Sequence, residues 1–106
     1  WDLIVDTDYN ITDVSQFTCD AYRGQIQNPL YFINQFVYLP LSSDIVVPDK
    51  ARAQQANDPQ RIYTRAVDCW RQTGRIPNFI YVDWVGQGDP IGAMTRLNAL
   101  ARNPTP

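Results

Sequence analysis

The chain has 106 residues, and 44% of them are hydrophobic, which is enough to form the core of one domain and argues against global disorder. The formal net charge of −2 and the absence of any basic run give no support for nucleic-acid binding or for attraction to an anionic membrane surface. The chain contains no histidine, which removes the most common general base and the most common metal ligand, and we expect no cofactor.

The first half of the chain contains two predicted strands. Residues 3–5 form a short apolar run that is followed by an acidic, turn-like stretch. Residues 30–39 form a longer run, rich in aromatic and β-branched residues, between Pro29 and Pro40. Short, nearly continuous apolar runs of this kind are typical of strands buried on both faces, as in parallel sheets.

Two helices are predicted in the middle of the chain. The first covers residues 49–56 and is mostly polar. The second has clearer boundaries, because Asp58 is a typical N-cap, Pro59 fits the first helical position and Gly74 fits the helix end. Its apolar residues recur at spacings of three and four, as expected for one buried face.

A third strand and a third helix are predicted near the C-terminus. Residues 79–85 form the strand and are apolar apart from Asp83. An Asp-Pro pair at residues 89–90 repeats the helix-start signal, and an apolar stripe follows it up to Pro104, where we expect the helix to end. No apolar segment approaches the ~20 residues that span a bilayer, so we expect no transmembrane segment.

The order of these elements predicts an α/β architecture with a parallel sheet. The stretch from residue 40 to residue 77 is long enough to be the crossover that two parallel strands require. Three parallel strands form an open sheet with two unpaired edges, which favour aggregation unless a partner covers them. We therefore expect the chain to be part of a larger structure.

Asp83 is the strongest candidate for a functional carboxylate. It lies at the end of an apolar strand and is followed by two glycines and the predicted cap of the last helix. In (β/α) barrels, the loops after the carboxyl ends of the strands form the active site. The alternative is an aspartate that caps a turn or pairs with an arginine.

Polar residues also follow the two earlier strands. Asp6, Asp8 and Tyr9 come after the first strand, in the same relation as Asp83 to the third. Together with Asp2 they could suggest a calcium site, but no glycine lies where an EF-hand loop requires one, so we expect no metal. Asn34 interrupts the second strand and requires a hydrogen-bond partner if it is buried, which favours a satisfied core amide.

The cysteines and one tripeptide bear on the cellular compartment. Cys19 and Cys69 are 50 positions apart, and from this spacing alone a disulfide and two buried free thiols are equally compatible with the sequence. Asn10 begins the only Asn-X-Ser/Thr sequon without proline in its middle position. Such tripeptides arise often by chance, so the sequon gives only weak support for secretion.

Residues 74–84 read G-R-I-P-N-F-I-Y-V-D-W. This segment resembles the G-R-x-P-N-F-x-x-V-D-F segment of phosphatidylinositol-specific phospholipase C-like phosphodiesterases, particularly their extracellular fungal and plant branch. Weaker similarities at residues 1–9, 17–23 and 29–36 follow in the family's order, so that the resemblance covers nearly the whole chain. Asp6 stands where the family usually has glutamate, and Val85 where it usually has tyrosine.

The resemblance implies that residues 1–106 form the C-terminal portion, about three β/α units, of a single TIM (β/α) barrel domain. In the family, two histidines transfer the protons, the substrate's own hydroxyl attacks the phosphorus, and a carboxylate orients one histidine. Both histidines belong to the N-terminal half of the barrel, so this chain alone would not be an enzyme. Asp83 matches the orienting carboxylate, and Asp6 and Tyr9 match residues that line the headgroup pocket.

The resemblance also implies a compartment and partners. A secreted protein with a Cys19–Cys69 disulfide is expected, and the sequon makes Asn10 the candidate glycosylation site. The partners would be the remainder of the barrel and a phosphodiester or lipid-headgroup substrate. The sequence leaves two alternatives open, namely a non-catalytic binding or defence protein on the same scaffold and a free-standing small α/β domain.

Overall fold

A computed structural model describes residues 1–102 of the chain, which form one parallel sheet, one hairpin and a set of helices. In chain order the elements are β1 (Ile4–Asp6), a 3₁₀ helix (Val14–Gln16), β2 (Leu30–Asn34), β3 (Tyr38–Pro40), β4 (Val46–Pro48), α1 (Lys50–Ala56), α2 (Pro59–Thr73), β5 (Phe79–Tyr81) and α3 (Pro90–Arg102). The strands β1, β2 and β5 form a parallel sheet in that order, and β3 pairs with β4 in an antiparallel hairpin. The predicted α/β class is confirmed.

The parallel sheet brings three strand ends to one edge. Ile4 lies opposite Leu30 in the register of β1 and β2, and Phe32 lies opposite Phe79 in that of β2 and β5. The crossover from β2 to β5 contains the hairpin, α1 and α2. Because all three strands run in the same direction, the residues that follow Asp6, Asn34 and Tyr81 lie at the same edge.

The prediction of one long strand over residues 30–39 is wrong. The parallel strand ends at Asn34, and the chain then turns into the hairpin of β3 and β4. The N–H of Gln35 still donates to Tyr81 O of β5 at 2.8 Å, whereas Tyr38 N bonds to Ile11 O at 2.8 Å, outside the parallel sheet. Residues 36–39 are as apolar as a strand of the parallel sheet. Composition therefore did not show that this part of the chain pairs with β4 in a hairpin instead of extending β2.

The third strand is shorter than predicted, and the backbone at Trp84 excludes a strand that continues to Val85. β5 stops at Tyr81, although the apolar run continues to Val85. Trp84 has a φ of 53°, a left-handed conformation that is incompatible with continuation of a strand. Residues 83–89 therefore form a loop at the carboxyl end of β5.

The helix boundaries predicted from capping signals are confirmed. The Asp58 carboxylate accepts a hydrogen bond from Arg61 N at 3.0 Å at the start of α2, and Gly74 ends this helix with a φ of 74°. Asp49 caps α1 in the same way through Arg52 N. The last helix, α3, begins at Pro90 as predicted, while its predicted end at Pro104 lies outside the described residues.

The two faces of the sheet differ in coverage. One face packs against α2 through the buried residues Val5, Tyr31 and Ile33. The opposite face has the aromatic residues Phe32, Phe79 and Tyr81 in mutual contact, with 49% of Phe79 and 54% of Tyr81 exposed. The expected burial on both faces is thus wrong for residues 1–102, because the helices in this part of the chain cover only one face.

The Cys19–Cys69 disulfide is present, with the two Cα atoms 5.2 Å apart. It joins the long connection between β1 and β2 to α2, and its sulfurs belong to the buried core. The alternative of two free thiols is wrong. None of the helices within residues 1–102 combines the length and apolar character required to cross a membrane.

Candidate functional site

The carboxyl ends of β1 and β2 are held together by Asn34. Its side-chain amide donates to Asp6 Oδ2 at 3.1 Å and to the main-chain oxygen of Thr7 at 2.8 Å. Its backbone N–H donates to Thr7 Oγ1 at 3.0 Å. The interpretation of Asn34 as a satisfied buried amide agrees with these contacts, which fix the position of Asp6 at the edge of the sheet.

The buried carboxylate of Asp6 forms an ion pair with Arg23. Only 3% of Asp6 is exposed, and it accepts from Arg23 N and from Arg23 Nε at 3.1–3.2 Å, with a further bond from Nη2. These hydrogen bonds raise the pKa of the Arg23 guanidinium, against the opposing effect of its partial burial. Because Asn34 supplies a further donor, the acceptor positions of Asp6 are occupied within the chain.

Aromatic rings enclose the Arg23 guanidinium. Its central carbon lies 4.4 Å from the centroid of the Trp1 ring and 4.6 Å from that of Tyr9. Tyr22 packs edge-on against Tyr9, with 5.6 Å between the ring centroids. Cations are attracted to the faces of aromatic rings, so these rings stabilise the guanidinium where it meets Asp6. The structure thus brings the predicted residues Asp6 and Tyr9 together through Arg23.

Asp83 lies in the loop that follows β5, at the same edge of the sheet. It is partly buried, and this burial raises the pKa of its carboxyl group. No donor within residues 1–102 forms a side-chain hydrogen bond to its carboxylate. The pKa of the Tyr38 phenol is raised mainly by burial and then by Asp83 and Tyr9, which places Tyr38 within electrostatic reach of both predicted sites.

Asn57 holds this loop through side-chain hydrogen bonds, and this role was not predicted from the sequence. It is fully buried between α1 and α2, and its side-chain amide donates to the main-chain oxygens of Asp83 at 2.8 Å, Gln87 at 3.2 Å and Trp84 at 3.3 Å. The sequence contains no local signal for this role, because the contacts link positions at least 26 residues apart.

Arg65 is a second supporting residue that sequence analysis missed. Only 8% of it is exposed, and it donates to oxygens of four residues at the ends of β1 and β2 and in the neighbouring loop. The acceptors are Asn34 O at 2.7 Å, Gln35 Oε1 at 2.8 Å, Thr7 Oγ1 at 3.2 Å and Thr18 O at 2.7 Å. Burial lowers the pKa of Arg65 to about 10. The sequence did contain a signal for burial of Arg65, because this arginine lies on the apolar stripe of α2.

Several other features lie away from this edge or bear on it only indirectly. A cavity of about 640 Å³ opens between the 3₁₀ helix region and α2, and its lining contains none of Asp6, Tyr9 and Asp83. Within residues 1–102, no three acidic or cysteine side chains are arranged to hold a metal ion. Asn10, the first residue of the sequon, is exposed.

Comparison with known proteins adds one result to this geometry. The parallel strands, with polar residues at their carboxyl ends, place the chain among α/β proteins. A family model described as PI-PLC X 1 matches residues 1–98, and the chain belongs to this family. No curated protein and no solved structure matches the chain. The predicted relationship to phosphatidylinositol-specific phospholipase C is therefore confirmed.

Proposed function

We propose that this chain is the C-terminal part of a PLC-like phosphodiesterase barrel and that it supplies about three of the barrel's β/α units. The single observation that carries the proposal is the common edge at which Asp6, Asn34 and Asp83 follow three parallel strands. In (β/α) barrels this edge is where substrates bind. The whole of residues 1–106 then belongs to a single barrel domain, and the family relationship provides the class of reaction.

The exposed aromatic face supports a partner that completes the barrel. Phe79 and Tyr81 lie on the face opposite α2, where barrel strands pack their interior side chains. The outer edge of β5 has no neighbouring strand among the described residues. At β1, in contrast, Asp6 N already bonds to Arg23 O at 3.0 Å and Tyr22 N bonds to Asp6 O at 2.8 Å. The outer edge of β1 is therefore covered within the chain, since Ile4 O also accepts from Asn28 Nδ2 at 3.0 Å, and a further strand would pair with the outer edge of β5.

The proposed reaction is the cleavage of a phosphodiester by acid–base catalysis. The substrate's own hydroxyl attacks the phosphorus while one histidine of the missing part removes its proton and the other protonates the leaving oxygen. Asp83 accepts a hydrogen bond from one imidazole, which fixes its tautomer and stabilises its charged form. The free carboxylate of Asp83 at the substrate-binding edge supports this assignment.

The substrate headgroup is proposed to bind beside Asp83, where Asp6, Arg23 and Tyr9 form a polar and aromatic wall. Tyr9 is 38% exposed and accessible to a ligand, whereas Asp6 is buried behind Arg23. The class of substrate that follows from the family is a phosphoinositide or a related phosphodiester. The disulfide supports a secreted protein, and the exposed Asn10 is its proposed glycosylation site.

The proposal is tested by expressing this chain together with the remainder of the barrel. The assembled protein should release phosphorylated headgroup from vesicles that contain phosphatidylinositol or from a water-soluble phosphodiester, and the chain alone should release none. An assembled protein that contains both histidines but cleaves neither substrate would overturn the proposal.

A non-catalytic binding protein is the second candidate. It is favoured by the departures at Asp6 and Val85, since both lie at the proposed substrate-binding edge and Val85 is 63% exposed. Fold alone does not determine activity. A remainder of the barrel that lacks the two histidines would support this candidate against the enzyme.

A further inference from the structure

The loop that contains Asp83 includes a residue in an unfavourable backbone conformation. Trp84 has a φ of 53°, and it is the only described residue other than glycine with a positive φ. A side chain with a Cβ atom is disfavoured in this region, most of all a bulky one. Such a conformation persists only where surrounding contacts hold it, and outliers of this kind are often found at functional sites.

Asn57 supplies contacts that hold the loop. Its side-chain Nδ2 has two hydrogens and faces three main-chain oxygens, those of Asp83 at 2.8 Å, Gln87 at 3.2 Å and Trp84 at 3.3 Å. The carbonyls on both sides of the strained Trp84 backbone are thus bound by one buried amide.

The side-chain amide of Asn57 acts as a hydrogen-bond donor to the loop, while its oxygen accepts no bond among the described residues. Asn57 Oδ1 is buried without a hydrogen-bond partner among the described residues, which is unfavourable. An apolar side chain of similar size would avoid this cost. The presence of asparagine is therefore explained by the two N–H groups of Nδ2, which are shared among three main-chain oxygens of the loop.

The C-terminal end of the loop, at Gly88 and Asp89, also contacts Asn57. Asp89 N donates to the main-chain oxygen of Asn57 at 3.1 Å, immediately before α3 begins. Gly88 packs so closely that a Cβ atom on it would lie 2.4 Å from Asn57 O. Asn57 is itself fixed, because its backbone N–H bonds to Ala53 O at 2.8 Å at the end of α1. The loop is bound at both ends to one rigid helix junction.

We propose that Asn57 is a positioning residue that sets the place of Asp83 at the substrate-binding edge. The functional part of this inference rests on the proposed role of Asp83, whereas the structural part does not. Because the amide bonds directly to the main-chain oxygen of Asp83, its loss allows Trp84 to relax toward negative φ. This relaxation turns the Asp83 side chain away from the imidazole that it orients, and exposes its carboxyl group to water.

The test uses Asn57→Ala in the assembled protein, with Asn78→Ala, an exposed asparagine at the other end of β5, as the control. Asn78 precedes β5 at its other end, and its Oδ1 accepts a bond from Tyr31 N at 2.8 Å. Both variants lose hydrogen bonds between an asparagine side chain and the backbone, so both should lower the melting temperature. Below both melting temperatures, Asn57→Ala should reduce kcat at least ~10-fold, whereas Asn78→Ala should stay within about twofold of wild type.

A second measurement does not require activity. Carbon NMR titration of the Asp83 carboxyl group, in an assembled protein whose two histidines are replaced by alanine, should give a lower pKa in Asn57→Ala than in the same protein with Asn57, since exposure removes the burial that raises it. Asn78→Ala should leave this pKa unchanged. If Asn57→Ala does not fold, Asn57→Ser, which keeps one donor, should give a smaller shift in the same direction.

The two proposals fail in different ways. If the assembled protein cleaves no phosphodiester but Asn57→Ala still lowers the pKa of Asp83, the proposed function is wrong and the positioning role stands. If Asn57→Ala lowers the melting temperature but leaves both kcat and the pKa of Asp83 unchanged, Asn57 is only a structural residue and the inference is overturned.

Discussion

The Asp6 carboxylate and the Arg23 guanidinium form a bidentate ion pair in which the side chain of Asp6 is 4% exposed and that of Arg23 is 40% exposed. The pair holds the segment between β1 and β2 against the end of β1. Asp6 is therefore bound within the chain, and a ligand that enters this edge meets Arg23 and Tyr9 before it meets Asp6.

Asp6→Asn should destabilise the assembled protein by about 1–2 kcal/mol. The variant keeps the size of the side chain but removes the charge and turns an amide toward the donors of Arg23. The exposure of Arg23 limits the loss, because water can solvate the released guanidinium. Urea unfolding measures the change. Asp20→Asn, at an exposed position nearby, is the control and should change stability by less than ~0.5 kcal/mol. Equal changes in the free energy of unfolding for the two variants would show that the ion pair contributes nothing.

The Cys19–Cys69 disulfide should contribute about 4 kcal/mol of stability in the chain-entropy model, less any strain in the folded state. The bond closes a loop across a sequence separation of 50, and reduction releases that constraint on the unfolded chain. The double variant Cys19→Ala, Cys69→Ala should unfold at lower denaturant concentration than the wild type. Two alkylated thiols in the unreduced protein, detected by mass spectrometry, would contradict the assignment.

The comparison of sequence and structure separates local from distant determinants. Asp58, Pro59 and Gly74 predicted the bounds of α2 because capping depends on neighbours within one turn. The hairpin of β3 and β4 was missed because an apolar run does not reveal which strand it pairs with. The role of Asn57 was missed because its partners lie in a loop much later in the chain. Pattern thus predicted the elements, whereas the supports of the site depend on tertiary contacts.

The isolated chain should aggregate, and the remainder of the barrel should prevent this. Phe79 and Tyr81 expose about half of their surface on the uncovered face, and the outer edge of β5 has no neighbouring strand within the described residues. Unpaired strand edges and exposed apolar surface promote association. Size-exclusion chromatography with light scattering should show aggregates for the chain alone and one monodisperse species for the coexpressed protein. A well-folded monomer of 106 residues would refute this expectation.

Asp83→Asn should lower kcat by ~10²-fold or more without loss of stability. The amide is nearly isosteric but cannot stabilise an imidazolium, and it permits the wrong histidine tautomer. The stability effect follows from the raised pKa of Asp83. In the folded protein burial disfavours the charged form, so ionised Asp83 lowers stability once the pH exceeds the ordinary value of 3.8. Asp83→Asn should therefore be at least as stable as Asp83 at neutral pH when both are compared in a protein whose two histidines are replaced by alanine, so that no imidazole donates to the carboxylate.

The pH dependence and one control variant complete this test. The stability advantage of Asp83→Asn should disappear below pH 3.8, where the wild-type carboxyl group is protonated in both the folded and the unfolded state. Asp89→Asn is the control, because Asp89 caps α3 through Gly92 N at 2.9 Å and asparagine caps helices about as well as aspartate. Its kcat should barely change. Melting temperatures across pH, together with phosphodiester cleavage at neutral pH, measure both effects. Equal losses of activity in the two variants would show that Asp83 has no special role.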